Sequence, residues 1–235
     1  MAGHSKWKNI KYKKAATDAA KMKRFTKLSK EITIAAKLGL DIASNPPLRT
    51  LIEKANMINM PKENYLRAIK KASGNDKTMY ETAFYQGYGP CNVAIIVEVL
   101  SDNKNRAAAE VRRIFTHNGG RIAEPGSVEW MFNKCGLIEG STKYHSEEEL
   151  LEELLAYKLY DLSYEDGQFF IALDVVDLIK CKEQLEAAQC HIDEAHIGYN
   201  PQEKLELTDE EHNKLAEFIE ILEESEDIQN IFLNA

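Results

Sequence analysis

The sequence has no apolar run approaching the ~20 residues that a membrane span needs, although hydrophobic residues fill 44% of its 235 positions. Nor does an apolar stretch follow the lysines of "MAGHSKWKNIKYKK", so the start does not read as a signal peptide. It is basic in the manner of a mitochondrial presequence but lacks the arginine and serine enrichment of that class. A soluble cytoplasmic protein with no membrane partner is the expectation. The four cysteines, Cys91, Cys135, Cys181 and Cys190, stand far apart and form no Cys-x-x-Cys pair. That speaks against a zinc site and a disulfide framework, and for reduced thiols.

Catalytic signatures are equally scarce. Gly87-x-Gly89 precedes a strand rather than opening a helix, so it aims no helix N-terminus at a phosphate. Pro125-Gly126-Ser127 lacks the strand–turn–helix context of a nucleophile elbow. The six histidines include no His-x-x-x-His pair, and His191 and His196, five apart on a strand, would point to opposite faces. The acidic run at 147–153 falls on a helix and reads as a solvated face. The sequence therefore calls for no catalytic residue, no metal, no cofactor and no small-molecule substrate: not an enzyme.

What the sequence does have is segregated charge. Residues 1–80 hold 18 Lys and Arg against 6 Asp and Glu, a net of +12. The other 155 residues hold 12 against 32, a net of −20. Such asymmetry suggests a polyanion-binding end on an acidic body. At the very start, Lys6, Lys8, Lys11, Lys13 and Lys14 are interleaved with Trp7 and Tyr12. This is the composition of an arm that contacts phosphates through lysine and stacks bases on aromatic rings.

Apolar periodicity predicts a helix over 15–38, with Phe25, Leu28, Ile32 and Ala35 on one face. Lys23, Lys27, Lys30 and Lys37 form a ridge on the other, interrupted by Ile34. Asn45 before Pro46 and Pro47 predicts an N-cap opening a second helix to about Ile58. Asn59, Met60 and Pro61 predict the same device for a third helix ending at Ser73, with Arg67, Lys70 and Lys71 on its outer side. The sum is a basic three-helix bundle.

Beyond Tyr80 the pattern changes to α+β. A hairpin through the Gly-Tyr-Gly-Pro turn, a helix from about Asp102 to Gly119 and a strand over 121–132 form one run. Asp102, Asn103, Asn105, Arg106, Arg112 and Arg113 decorate that helix, either as a cap with solvated charges or as a second contact patch for RNA or protein. A second run follows, with a strand over 135–140, a helix over 146–160 opened by Ser146 and Glu149, a strand over 167–175, a helix over 177–189 and a strand over 192–207. The last helix and the strand at 228–233 have no partners of their own, and they complete the first unit if the second is inserted in it.

The blocks "MAGHSKWKNIK", "FTKLSKEITIAAKLG", "NPPLR", "NMPKENYLRAIKKASG", "YQGYGP", "VAIIVEVLSDNKNR", "EVRRIFTHNGG" and "GSVEWMF" resemble, in order, the signatures of the YebC/PmpR family. The resemblance implies a multidomain α+β fold: an N-terminal three-helix bundle and two ferredoxin-like α+β domains, the third inserted in the second. The boundaries expected are 1–78, then 79–133 with 207–235, and 134–206 for the insert. The resemblance maps the family's N-terminal block onto Lys6, Trp7, Lys8, Lys11, Lys13 and Lys14 as a nucleic-acid arm. Three loops depart from the family pattern: Gly89-Pro90-Cys91-Asn92 for Gly-Pro-Gly-Gly, Gly39-Leu40 for Gly-Gly, and Tyr199-Asn200-Pro201 for Met-Ile-Pro.

Two functions are implied. The family is labelled as probable transcriptional regulators that bind DNA. Members are also understood as ribosome-associated translation factors that relieve stalling, with mitochondrial relatives activating translation of a cytochrome oxidase subunit. Partners on either reading are nucleic acid, DNA or ribosomal RNA, with the ribosome on the second. A lysine ridge suits phosphates better than base edges, so residue chemistry favours the RNA reading on mechanism.

Overall fold

The computed structural model describes residues 18–73, 80–144 and 146–235. Helix α1 (Asp18–Lys37) buries Phe25, Leu28, Ile32 and Ala35 as the periodicity requires. Helix α2 (Pro46–Met57) is capped by Asn45, whose Oδ1 accepts from Leu48 N at 3.1 Å. The Asn45 amide also donates to the carbonyls of Ala35 and Gly39 at 2.8 and 2.6 Å, so one buried side chain ties the end of α1 to the start of α2. Helix α3 (Lys62–Ser73) packs against α1, where Thr33 Oγ1 donates to Ala68 O at 3.3 Å. Asn59 is not the N-cap that the sequence predicts for α3. It ends α2 with a φ of 56°, Asn59 N bonding Asn56 O and Met60 N bonding Ala55 O, the pattern of a Schellman cap.

Strands β1 (Glu81–Tyr88) and β2 (Ala94–Ser101) form the expected antiparallel hairpin. Helix α4 (Lys104–His117) follows, then β3, which is only Arg121–Ile122. The strand expected over 121–132 therefore stops after two residues, and a Pro125-Gly126 turn carries the chain to Phe132. Strand β4 (Phe132–Ser141), helix α5 (Glu147–Glu153), strands β5 (Leu159–Glu165) and β6 (Gln168–Leu173), helix α6 (Leu178–Ala187) and strand β7 (His191–Pro201) make the second unit. The helix expected over 146–160 is shorter: α5 ends at Glu153, a turn follows over 154–158, and β5 begins at Leu159. Helix α7 (Asp209–Glu223) and strand β8 (Ile228–Leu233) close the chain, α7 opened by a Thr208–Glu211 capping box.

The second sheet runs β5-β6-β4-β7, which is the ferredoxin-like order for a β-α-β-β-α-β chain. The first runs β3-β1-β2-β8: β2, α4 and β3 form a split β-α-β unit with β1 between its strands. Strand β8 joins this sheet beside β2 after the whole second unit has intervened, which is the insertion expected from sequence. Each sheet covers one face with its helices. In the first, Ile95, Val97 and Val99 meet Val111, Phe115, Phe218 and Leu222, with the rings of Phe115 and Phe218 edge to face at 5.1 Å. The open faces of the two sheets share another apolar core, where Ile96 and Phe232 meet Leu137, Phe170 and Val128. The bundle core draws on bundle residues alone, so sheet joins sheet by apolar packing while the bundle does not.

Candidate nucleic-acid interface

Of the sequence-derived site residues, Lys6, Trp7, Lys8, Lys11, Tyr12, Lys13 and Lys14 lie outside the described residues. On α1 and α3, Lys23 is half-buried while Arg67 and Lys70 are exposed, and among the described residues none of the three meets a carboxylate. Lys37 is exposed at the C-terminal end of α1, where a cation complements the helix dipole. Lys71 is exposed too, but its Nζ donates to Tyr80 Oη at 3.1 Å.

Lys27 is half-buried, with its charge bearing on Glu31, and Lys30 is committed to an ion pair. The Lys30 Nζ donates to Asp227 Oδ1 at 2.5 Å and to the carbonyl of Glu226 at 2.8 Å, and its side chain is only 11% exposed. The far oxygen of Asp227 accepts from Ser101 Oγ and Arg106 Nη2, both at 2.9 Å. Lys30 is thus a bolt between bundle and body rather than a free phosphate contact. Ile34, one turn on, is half-buried on this same side, which accounts for an apolar residue among the lysines.

The second expected patch divides for the same reason. Asn103 caps α4 by accepting from Arg106 N at 3.1 Å, and Asp102 and Arg106 pair at 2.9 Å. Those three are structural. Asn105, Arg112 and Arg113 are exposed on the outer face of α4, and among the described residues none meets a carboxylate.

A second polar joint links α2 to β7. Lys54 Nζ donates to Glu194 Oε1 at 2.9 Å, and Glu31 stands close by. Burial works against the Lys54 charge, but Glu194 and Glu31 outweigh it and raise the pKa. Desolvation raises Glu31 above the usual carboxylate range, with Lys54 acting in the other direction. At Asp227 burial also raises the pKa, yet its hydrogen bonds from Lys30, Arg106 and Ser101 prevail and hold the carboxyl low. Sequence reading found neither Asp227 nor Glu194, since each is one acid among many and only the fold brings it to a lysine.

Burial pushes Cys135 up to about 11 and Cys181 up to about 12, which keeps both protonated. No helix among the described residues is long and apolar enough to cross a membrane.

A family model described as the TACO1/YebC protein N-terminal domain matches residues 5–75, and one described as the TACO1/YebC second and third domain matches residues 80–235. The chain belongs to the TACO1/YebC family. Its relatives include a probable transcriptional regulatory protein of Chlorobium phaeobacteroides, 43% identical over 100% of this chain and 95% of that protein. Another, from Desulforapulum autotrophicum, is 45% identical over 100% of this chain and 96% of its own length. The crystal structure of a conserved hypothetical protein from Aquifex aeolicus superposes with a TM-score of 0.82 at 37% identity, covering 94% of this chain and 92% of that one. The family membership and the three-part α+β fold thus agree with the sequence reading.

Proposed function

We propose that the chain is a non-enzymatic regulator of gene expression that binds nucleic acid through its N-terminal bundle, working in the cytoplasm. The observation that carries this reading is the partition of charge. Residues 18–73 hold 12 Lys and Arg against 5 Asp and Glu, while the body that follows is strongly acidic. A polyanion is drawn to one end of such a molecule and repelled by the other. Lys23, Arg67 and Lys70 are kept for this contact, whereas Lys30 and Lys54 are consumed in joining the parts. The regulator name of the relatives supports the class of function. We assign the arm residues named from sequence to the same surface, with Arg112 and Arg113 at its margin, and place the domain limits at 78, 133 and 206.

Between DNA and ribosomal RNA, the residue types favour RNA. Lysines neutralise phosphates without reading bases, and the ridge offers no cluster of Arg, Asn or Gln aimed at a major groove. Co-sedimentation with ribosomes, run beside a gel shift on promoter-length duplex at about 150 mM salt, separates the two. The reading predicts saturable ribosome binding that is lost when the five arm lysines become alanine, and only sequence-blind DNA shifts. Discrete, competitor-resistant DNA complexes without ribosome association would return the function to transcription.

A further inference from the structure

The joint between bundle and body is made by cations of the one and carboxylates of the other. Lys30 directs its ammonium at three acceptors of the body: Asp227 at 2.5 Å, the Glu226 carbonyl at 2.8 Å and the Leu100 carbonyl at 3.4 Å. Lys54 reaches Glu194 at 2.9 Å. Among the described residues no apolar core crosses the joint, since every member of the bundle core is a bundle residue. Charge closes it, and a partly buried ion pair contributes little once its desolvation is counted.

Two features make this joint easy to open. When the bundle leaves, Asp227 keeps Arg106 Nη2 and Ser101 Oγ, both on the body at 2.9 Å. On the bundle side, Lys54 keeps the charge of its neighbour Glu31. Only Lys30 is left without an anion. The second feature is repulsion. Glu31 of α1 faces Glu194 of β7 and Glu98 of β2 as well as Lys54. Burial raises its pKa, Lys54 opposes the rise, and the two body carboxylates add to it. Three acids, one each from the bundle and the two sheets, thus meet around one lysine, and their repulsion works against closure.

We propose that the bundle face now closed on the body is a second phosphate-binding surface, and that RNA opens the joint by drawing Lys30 and Lys54 away from Asp227 and Glu194. The proposal rests on the nucleic-acid reading above and deepens it, because the acidic body holds two further cations of the bundle in reserve. Continuity with the free cations argues for RNA as the occupant. Lys23, Lys27 and Lys30 follow one another along α1 at four- and three-residue steps, so they share a side of the helix. A backbone seated at Lys23 is led to Lys30 about 10 Å further on. The chemistry fits as well, since a phosphate oxygen replaces a carboxylate oxygen at an ammonium group without loss of charge pairing.

The test measures affinity for a labelled structured RNA by anisotropy at several salt concentrations. Asp227→Asn/Glu194→Gln removes the hold of the body and should tighten binding by about 5-fold or more, the low end of ordinary coupling between two equilibria. Glu152→Gln/Glu183→Gln removes two exposed acids of α5 and α6 instead, and should leave affinity near the parental value. Lys30→Gln/Lys54→Gln should make the log–log salt slope shallower by about 1.4 to 1.8, because two phosphate contacts are lost. A joint that stays shut keeps both lysines from the RNA and leaves that slope unchanged. The lysine pair decides alone should the carboxylate pair fail to fold. An unchanged slope, or a carboxylate pair that binds no tighter than the α5/α6 pair, overturns the reserve and leaves the contacts of Lys23, Arg67 and Lys70 standing. No RNA binding by the parent or any variant overturns both. Tighter binding of the carboxylate pair to polyglutamate but not to RNA would give the face to an acidic protein and also overturn the proposal.

Discussion

Cys91 and Asn92 both sit at a φ of 59°, between the β1 and β2 strands, in the left-handed region that side chains with a Cβ enter at a cost of about 1–2 kcal/mol. The family pattern places Gly-Gly at these positions, and the backbone explains why. Cys91→Gly should accordingly stabilise the body by about 1 kcal/mol once the greater freedom of glycine in the unfolded chain is subtracted. A rise in the urea midpoint with unchanged slope is the expected result. Glu31 makes a second residue-level prediction. Desolvation raises its folded pKa above the unfolded value, so its ionised form is disfavoured by folding at neutral pH. Glu31→Gln should therefore raise the melting temperature at pH 7, and the gain should vanish at about pH 3, where the wild-type carboxyl is protonated in both states. At this scale the sequence was legible only where a residue acts on its own neighbours. Asn45, Ser146 and Thr208 cap the helices that follow them, and each cap could be placed, whereas the partners of Lys30 and Lys54 lie 197 and 140 residues away.

At the scale of elements, strongly periodic helices and alternating strands were readable, and the errors fell where tertiary pairing overruled local preference. The stretch after α5 has the look of a continuing helix, but Leu154 is buried at the helix end and the chain turns out to pair as β5 with β6. One signal was available: Asp166-Gly167, both at positive φ, is the two-residue turn of a tight hairpin. Gly167→Ala should cost about 1–2 kcal/mol through its φ of 79°. The free surface of the bundle was harder to read from sequence, because a lysine ridge has the same spacing whether it meets solvent or another domain. Asp227→Asn tests the bolt. It leaves Lys30 without a carboxylate and Arg106 with Asp102 alone, and should destabilise the joint by about 3 kcal/mol at pH 7. Because the pKa of Asp227 is depressed in the folded state, its contribution is full above the ordinary value of about 3.9 and is lost as pH falls through the lower folded value. Wild type and Asp227→Asn should therefore draw together in stability as pH falls below about 3.9, as read by urea denaturation.

At the scale of the whole molecule, two sheets packed through a common apolar core form a body to which the bundle is fastened largely by charge. That arrangement gives one end of the protein to polyanions and leaves an acidic remainder that limits how it docks. The central claim is that the bundle makes phosphate contacts through cations that the fold leaves unpaired. The most direct measurement is the salt dependence of binding to a labelled structured RNA between about 50 and 300 mM salt, comparing wild type with Lys23→Glu/Arg67→Glu/Lys70→Glu. The account predicts a log–log slope of about −4 or steeper for the wild type. In the triple variant the slope should become shallower by about 2 to 3, with a large loss of affinity. Equal affinity and an unchanged slope in the variant would contradict it.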